Sequence, residues 1–296
     1  MELPAELKQA VERELERVPL ADLQRAADTL SRRYRAETRD GRLHLAEDMA
    51  VKAYLAARLP ATFAALRASM EAVAEALPEF QPRSMLDFGA GPGSALWAAA
   101  DCWDGLSAAT LGEASDTVRG TGQRLAAGAS LPVATWIAAD VSRPLPALKP
   151  ADLVTLAYVL DELAPAAIPP LIERLWALTI GTLLIVEPGT PAGWARILDV
   201  RRQLIAAGAP VAGPCPHEAP CPLAPPDWCH FSRRVARSRL HRLTKSADVP
   251  WEDEKFIYLA ASRTKATARK PRGLEPPHTA SGRIALKLCQ PDGRAE

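Results

Sequence analysis

An apolar run ending in alternate glycines, SMLDFGAGPGS at residues 84–94, restricts this chain more than any other feature. Apolar residues up to Phe88 read as a strand, and SALWAAADCW reads as the helix that follows. Glycines at the junction allow a tight turn and a close approach of a ligand to the backbone. The pattern repeats downstream. AATLGEAS, ATWIAADVS, ADLVTLAYVL and GTLLIVEPG read as strands, with helices such as IPPLIERLWALT between them. Strands alternating with helices predict an α/β fold in which helices cover both faces of a parallel sheet. KFIYLAASR and RIALKLC are two further strands, separated by a long loop, TKATARKPRGLEPPHTASG. Residues 1–80 differ: apolar positions recur at helical spacing, and Pro60 should break or kink the last helix. The expected organisation is a helical N-terminal domain over 1–80 and an α/β domain over 81–296.

Hydrophobic residues at 48% and charged residues at 24% suit a globular protein with a sizeable core. The N-terminus lacks the basic and apolar regions of a signal peptide, and no apolar run is long enough to span a bilayer. A cytoplasmic protein without membrane contact is expected. Charge is unevenly spread. The chain has 36 Lys and Arg and 35 Asp and Glu; residues His230 to Glu296 hold 15 and 7 of them. That segment therefore carries +8 and the remainder −7, which points to a polyanionic partner such as RNA, or to a solvated basic surface.

Gly89, Gly91 and Gly93 stand in strand-to-helix context, but position 94 is Ser94, where a dinucleotide fingerprint calls for Gly or Ala. The acid-x-Gly-x-Gly-x-Gly form resembles the first motif of class I S-adenosylmethionine (SAM)-dependent methyltransferases, which implies a Rossmann-like sheet. In that family the turn and Asp87 flank the methionine part of the cofactor. Glu113, 20 residues after Gly93 at the end of the second strand, can accept hydrogen bonds from the ribose hydroxyls. Asp140 matches the position that contacts the adenine amino group, or simply caps its turn.

No residue is assigned a catalytic role. The Asp/Asn-Pro-Pro-Tyr/Phe motif of amino-group methyltransferases is replaced by AYVLDEL. Cys215 in GPCP superficially resembles the nucleophile of RNA 5-methylcytosine enzymes. Asp161 and Glu162 can act as bases or form the acidic first turn of a helix.

Cys215, Cys221 and Cys229 fall in one proline-rich stretch, GPCPHEAPCPLAPPDWCHF, and Cys289 lies downstream. Clustered thiols in a reducing compartment are metal ligands more often than disulfides. The spacing fits neither common zinc fingers nor ferredoxins, yet four thiolates can hold zinc or a 4Fe–4S cluster. His217, His230 and His241 leave a mixed zinc site open.

The block PCPHEAPCPL, PDWCHFSRRV, WEDEKFIYLAASR and LKLCQPDG, with AYVLDEL and LLIVEPGTPAG, resembles the methyltransferase-like family associated with the mitochondrial ribosome small subunit, in its bacterial form. That resemblance implies a 4Fe–4S cluster on Cys215, Cys221, Cys229 and Cys289, and a partner in the small ribosomal subunit and its rRNA. It implies either rRNA methylation or maturation, or an assembly factor whose SAM site is vestigial or a sensor. A small-molecule methyltransferase with a zinc-stapled lid is the remaining alternative. The resemblance also implies a seven-stranded sheet: KFIYLAASR is the sixth strand, RIALKLC the seventh, and a Cys-rich basic insertion over about 206–250 lies between strands five and six. The segment SRRVARSRLHRLTK reads as a basic helix with Arg234, Arg237 and Lys245 on one face. Together with Arg233 these are the candidate RNA contacts. Trp228 and Phe231 either stack on bases or shield the cluster. Away from the ribosome a monomer is expected.

Overall fold

The computed structural model describes residues 1–36, 44–45, 47–266 and 269–296. Helices α1 (Ala5–Leu15), α2 (Leu20–Arg35), α3 (Asp48–Ala57) and α4 (Leu59–Ala76) come first. Pro60 sits in the first turn of α4, where its missing N–H costs nothing, and the chain breaks at Arg58 just before it.

The sheet follows as β1 (Ser84–Phe88), β2 (Ala108–Glu113), β3 (Val133–Ala138), β4 (Ala151–Ala157) and β5 (Thr179–Pro188), all parallel. Helices α5 (Ser94–Cys102), α6 (Asp116–Ala126) and α7 (Ile168–Ala177) connect them, and α8 (Pro191–Ala206) leaves β5. Then come β6 (Val211–Gly213), β7 (Phe231–Ala236), the short helix α9 (Arg239–Thr244) and the long β8 (Trp251–Ser262). The strand order is β3-β2-β1-β4-β5-β8-β6, with β7 also on β8. β8 runs antiparallel to β5. Five parallel strands followed by an antiparallel strand wedged beside the fifth define a Rossmann-like methyltransferase fold.

Side chains alternate between two buried cores, as a pleated strand requires. Leu184, Val186, Phe256, Tyr258 and Ala260 join one core with Leu7, Leu23, Phe63 and Met70 of the helices. Leu183, Ile185, Ile257, Leu259 and Ala261 join the other with Leu175 of α7 and Ile197 of α8. Because both faces are covered, the central strands read as continuous apolar runs.

Three expectations are corrected. RIALKLC is not a strand of the main sheet. It splits into β11 (Arg283–Ala285), paired with β10 (His278–Ala280), and β12 (Leu288–Cys289), paired with β9 (Arg272–Gly273). Strands β6 and β7 already occupy the free edge of β8, and Ile284 and Leu286 stay exposed. The sixth strand in chain order is instead β6, at the sheet edge, and KFIYLAASR lies in β8, so the Cys-rich segment falls between β6 and β8. The basic helix is also not formed. Phe231, Arg233 and Val235 alternate with exposed Ser232 and Arg234, a strand period, and only Arg239–Thr244 is helical. The acidic run Glu252–Asp253–Glu254 on β8 faces Val235, Arg234 and Arg233 in register, which favours cross-strand pairing. The long loop between the last predicted strands contains β9 and β10; residues 267 and 268 of it lie outside the described residues.

Candidate cofactor pocket and cysteine cavity

A cavity of about 110 Å³ lies beyond the C-terminal ends of β1 and β2, where open α/β sheets bind ligands. Asp87, Gly89, Gly91, Glu113 and Asp140 all line it. Gly89, Gly91 and Gly93 have φ of 63°, 54° and 92°, the left-handed region open to glycine. A Cβ on Gly89 would stand 2.4 Å from Val159 Cγ2. Gly93 does not line the cavity; it caps α5 and packs under Trp136.

Asp87 is 2% exposed. Its Oδ1 accepts from Thr155 Oγ1 at 2.6 Å, and its Oδ2 is buried without a partner. Burial pushes its pKa up to about 7; the Thr155 hydroxyl pulls it down and nearby Glu113 adds to the rise. An orphaned carboxylate oxygen facing a cavity suits a cationic ligand. Glu113 accepts the N–H of Gly91 at 3.0 Å and of Ser115 at 2.9 Å, so it ties the glycine turn to β2. Burial raises its pKa against those two bonds. Asp140 lines the cavity and also caps its turn, accepting from the Ser142 N–H at 2.9 Å.

Sequence reasoning did not find Tyr34, Tyr54, Thr62 and Tyr158. All four line both this cavity and an adjoining groove of about 1030 Å³. Tyr54 hydroxyl lies 3.2 Å from Ser94 Oγ. Tyr158, in AYVLDEL, has φ 57°, and its hydroxyl donates to Glu254, which also takes both nitrogens of Arg58. A strained residue at a strand end is a functional signal, but only coordinates reveal φ. Glu162 lines the cavity with its pKa raised to about 8, first by burial and then by Asp161. Neither Asp161 nor Glu162 forms a helix N-terminal turn: α7 starts at Ile168 and has no acid in its first turn. That expectation is corrected; they occupy the turn after β4.

Cys215, Cys221, Cys229 and Cys289 line a second cavity, of about 20 Å³, on the opposite side of the sheet. The first three come from an irregular loop and Cys289 from β12. All four are free thiols; Cys102, at the end of α5, packs against the other core. Burial pushes Cys215 up to about 11 and raises Cys221 and Cys289. His217 is the one histidine in this lining. Its Nδ1 meets the Ala219 carbonyl at 3.1 Å and so carries the proton, leaving Nε2 to accept from Cys289 at 3.3 Å. His230 stacks on Trp228, and His241 is buried beside Glu252. Among the described residues no three potential ligands stand close enough for a single metal ion. The donor set fits a soft metal centre: four thiols from two segments, lined up on one cavity.

Trp228 donates to the Gly189 carbonyl at 3.0 Å and packs, partly buried, against the same core as Cys215, Cys221 and Cys229. Phe231 packs on Phe256 and Tyr258. Each candidate RNA contact is ion-paired: Arg233 with Glu71, Arg234 with Asp253, and Arg237 and Lys245 with Glu252.

Fold and site thus define a methyltransferase-fold protein with a glycine-turn pocket beyond its strand ends and a four-cysteine cavity against one face of its sheet. Residues 48–296 match the family described as mitochondrial small ribosomal subunit Rsm22, and the chain belongs to that family. It is 30% identical over 260 residues to the human mitochondrial ribosome assembly protein METTL17. The match covers 82% of this chain and 56% of that protein, so the chain spans about half the length of this relative. Among solved structures, it is similar to a putative RNA methyltransferase from Pyrococcus horikoshii, at 13% identity and TM-score 0.42, over 69% of this chain and 84% of that one. It is also similar to magnesium protoporphyrin IX methyltransferase from Synechocystis PCC 6803 with bound SAH, at 16% identity and TM-score 0.46, over 82% of this chain and all of that one. Among the described residues no helix is long and apolar enough to cross a membrane.

Proposed function

We propose that this protein binds SAM in the glycine-turn pocket and acts in maturation of the small ribosomal subunit, on or beside its rRNA. The observation that carries the cofactor reading is Asp87: a buried carboxylate with one orphaned oxygen, beside glycines in the left-handed region. Asp87 would receive the cationic methionine end, Glu113 the ribose and Asp140 the adenine. The ribosomal reading rests on family membership and on the METTL17 relative. Calorimetry with SAM tests the pocket. A methyl-transfer assay on small-subunit particles then separates an enzyme from an assembly factor: binding without transfer supports the factor. Failure to bind SAM refutes the pocket reading.

Cys215, Cys221, Cys229 and Cys289 would hold a 4Fe–4S cluster, with zinc as the alternative occupant. When bound, the centre cross-links the irregular loop after β6 to β12, and its binding free energy becomes folding free energy. The loop carrying three of the cysteines has no regular secondary structure, so it is the element able to open around a cubane. Iron, sulfide and zinc analysis of anaerobically purified protein, with a visible spectrum, decides between them. For RNA, Arg233, Arg234, Arg237 and Lys245 would exchange their carboxylate partners for phosphates. The Arg233–Glu71 and Arg234–Asp253 pairs are exposed and weak enough to allow it, whereas the pairs of Arg237 and Lys245 with Glu252 are largely buried and cost more to break.

A further inference from the structure

Two arginines face the four thiols, and neither forms an ion pair with a carboxylate among the described residues. Arg201 of α8 is 2% exposed. One of its terminal nitrogens donates to the carbonyls of His217 at 2.7 Å and Ala219 at 2.9 Å, and its Nε is buried without a partner. Arg272 of β9 donates from Nη1 to Cys229 Sγ at 2.7 Å and from Nη2 to the His230 carbonyl at 3.4 Å. Its guanidinium lies 3.8 Å over the Phe231 ring, and its Nε is also orphaned. Its backbone pairs with Cys289. Both arginines line the cysteine cavity.

The charge count is informative. Guanidinium cannot shed its proton in a protein, so the cavity wall carries two positive charges whatever occupies it. Thiols in the neutral form offer no counter-charge, and an uncompensated charge in a low-dielectric site is costly. Four thiolates around a divalent metal carry a net charge of about −2. The same holds for four thiolates around an oxidised 4Fe–4S core of charge about +2. Either centre cancels the two guanidiniums.

We infer that Arg201 and Arg272 are the built-in counter-cations of a dianionic tetrathiolate metal centre, with Arg272 also donating a hydrogen bond to the Cys229 sulfur. This rests on the metal reading given above. Arg272 acts through the ligand sulfur and is a positioning residue. Hydrogen bonds and net charge around the sulfurs set metal retention, and reduction potential where the centre is iron–sulfur.

The test uses the full chain, purified anaerobically, as wild type, Arg272→Leu and Arg272→Lys. Metal loss to excess chelator is timed, and denaturant unfolding is measured on metal-bound and metal-free protein. Outer-shell changes of this kind typically weaken metal binding by about 10- to 100-fold. Arg272→Leu is therefore expected to lose metal at least about tenfold faster than wild type, with Arg272→Lys in between. An iron–sulfur centre should also titrate at a lower potential in Arg272→Leu. The metal-free Arg272→Leu form should be no less stable than metal-free wild type, because it has lost an uncompensated cation. Equal loss rates in wild type and Arg272→Leu overturn the inference and leave the metal reading intact. Equal destabilisation of metal-free and metal-bound forms also overturns it, since that is the signature of packing on Phe231 alone. A wild type without metal overturns both readings. Should Arg272→Leu give no soluble protein, Arg272→Lys decides: it keeps the charge and loses the forked donor. An unchanged loss rate in it counts against the sulfur hydrogen bond.

Discussion

Replacing Asp87 with Asn should stabilise the ligand-free protein and weaken its cofactor binding. The side chain is 2% exposed and its carboxyl is raised from 3.8 to about 7, chiefly by burial. A raised carboxyl favours the protonated form in the fold. The cost is absent below about pH 4, where folded and unfolded chains are both protonated. It grows as pH rises toward 7, and it is fully present above that. At about 1.4 kcal/mol per pH unit, a rise of roughly three units gives a ceiling of about 4 kcal/mol. Relaxation of the open pocket should reduce this to about 2 kcal/mol. Asn keeps the carbonyl oxygen that accepts from Thr155 and carries no charge, so Asp87→Asn should recover most of that amount at pH 8 and little at pH 4. A cation bound at Oδ2 reverses the sign: it favours the ionised form and must displace a proton below pH 7. Wild-type affinity for SAM should therefore rise roughly tenfold between pH 5.5 and pH 7, as ionised Asp87 becomes populated. The Asn variant should lose this dependence and bind at least tenfold more weakly. Urea unfolding at the two pH values and calorimetry across the pH range measure both arms. A variant less stable than wild type at pH 8, or one that binds SAM as tightly, would refute the reasoning.

Gly89→Ala should destabilise by about 2–3 kcal/mol and abolish SAM binding, because Cβ would meet Val159 at 2.4 Å in a left-handed backbone; a thermal melt and calorimetry read it. Cys221→Ser should lose the metal and with it several kcal/mol of stability, seen as a bleached spectrum and a lower melting temperature. Arg234→Glu should leave stability nearly unchanged, since the Asp253 pair is exposed. The same change should lower the salt slope of RNA binding by about one phosphate; an unchanged slope removes Arg234 from the RNA surface.

Much of the fold was legible because its signals are local. The glycines of 89–93 are needed where they stand, for a backbone that other residues resist. The apolar runs of β4 and β5 could be read because a strand buried on both faces has no polar positions to spare. The segment 231–236 was misread because its basic residues match a helix face, while the acids that pull it into a strand lie some 17 to 21 residues from their partners, on β8. Tyr34, Tyr54 and Thr62 were invisible as pocket residues, since nothing in a helix reveals which residue faces a distant turn.

By itself, the sequence determined the helices of 1–80, the first five strands, the glycine turn with Asp87 and Glu113, and four thiols that line one cavity. Tertiary structure alone decided which strand took the sheet edge. β6 and β7 cover β8, so the C-terminal run pairs with β9 instead, and Cys289 reaches its partners from a small hairpin rather than from the sheet. Tertiary structure also decided that Arg201 and Arg272 face the sulfurs. Charge balance in a buried cavity is a property of side chains brought together from distant segments, and no spacing along the chain encodes it.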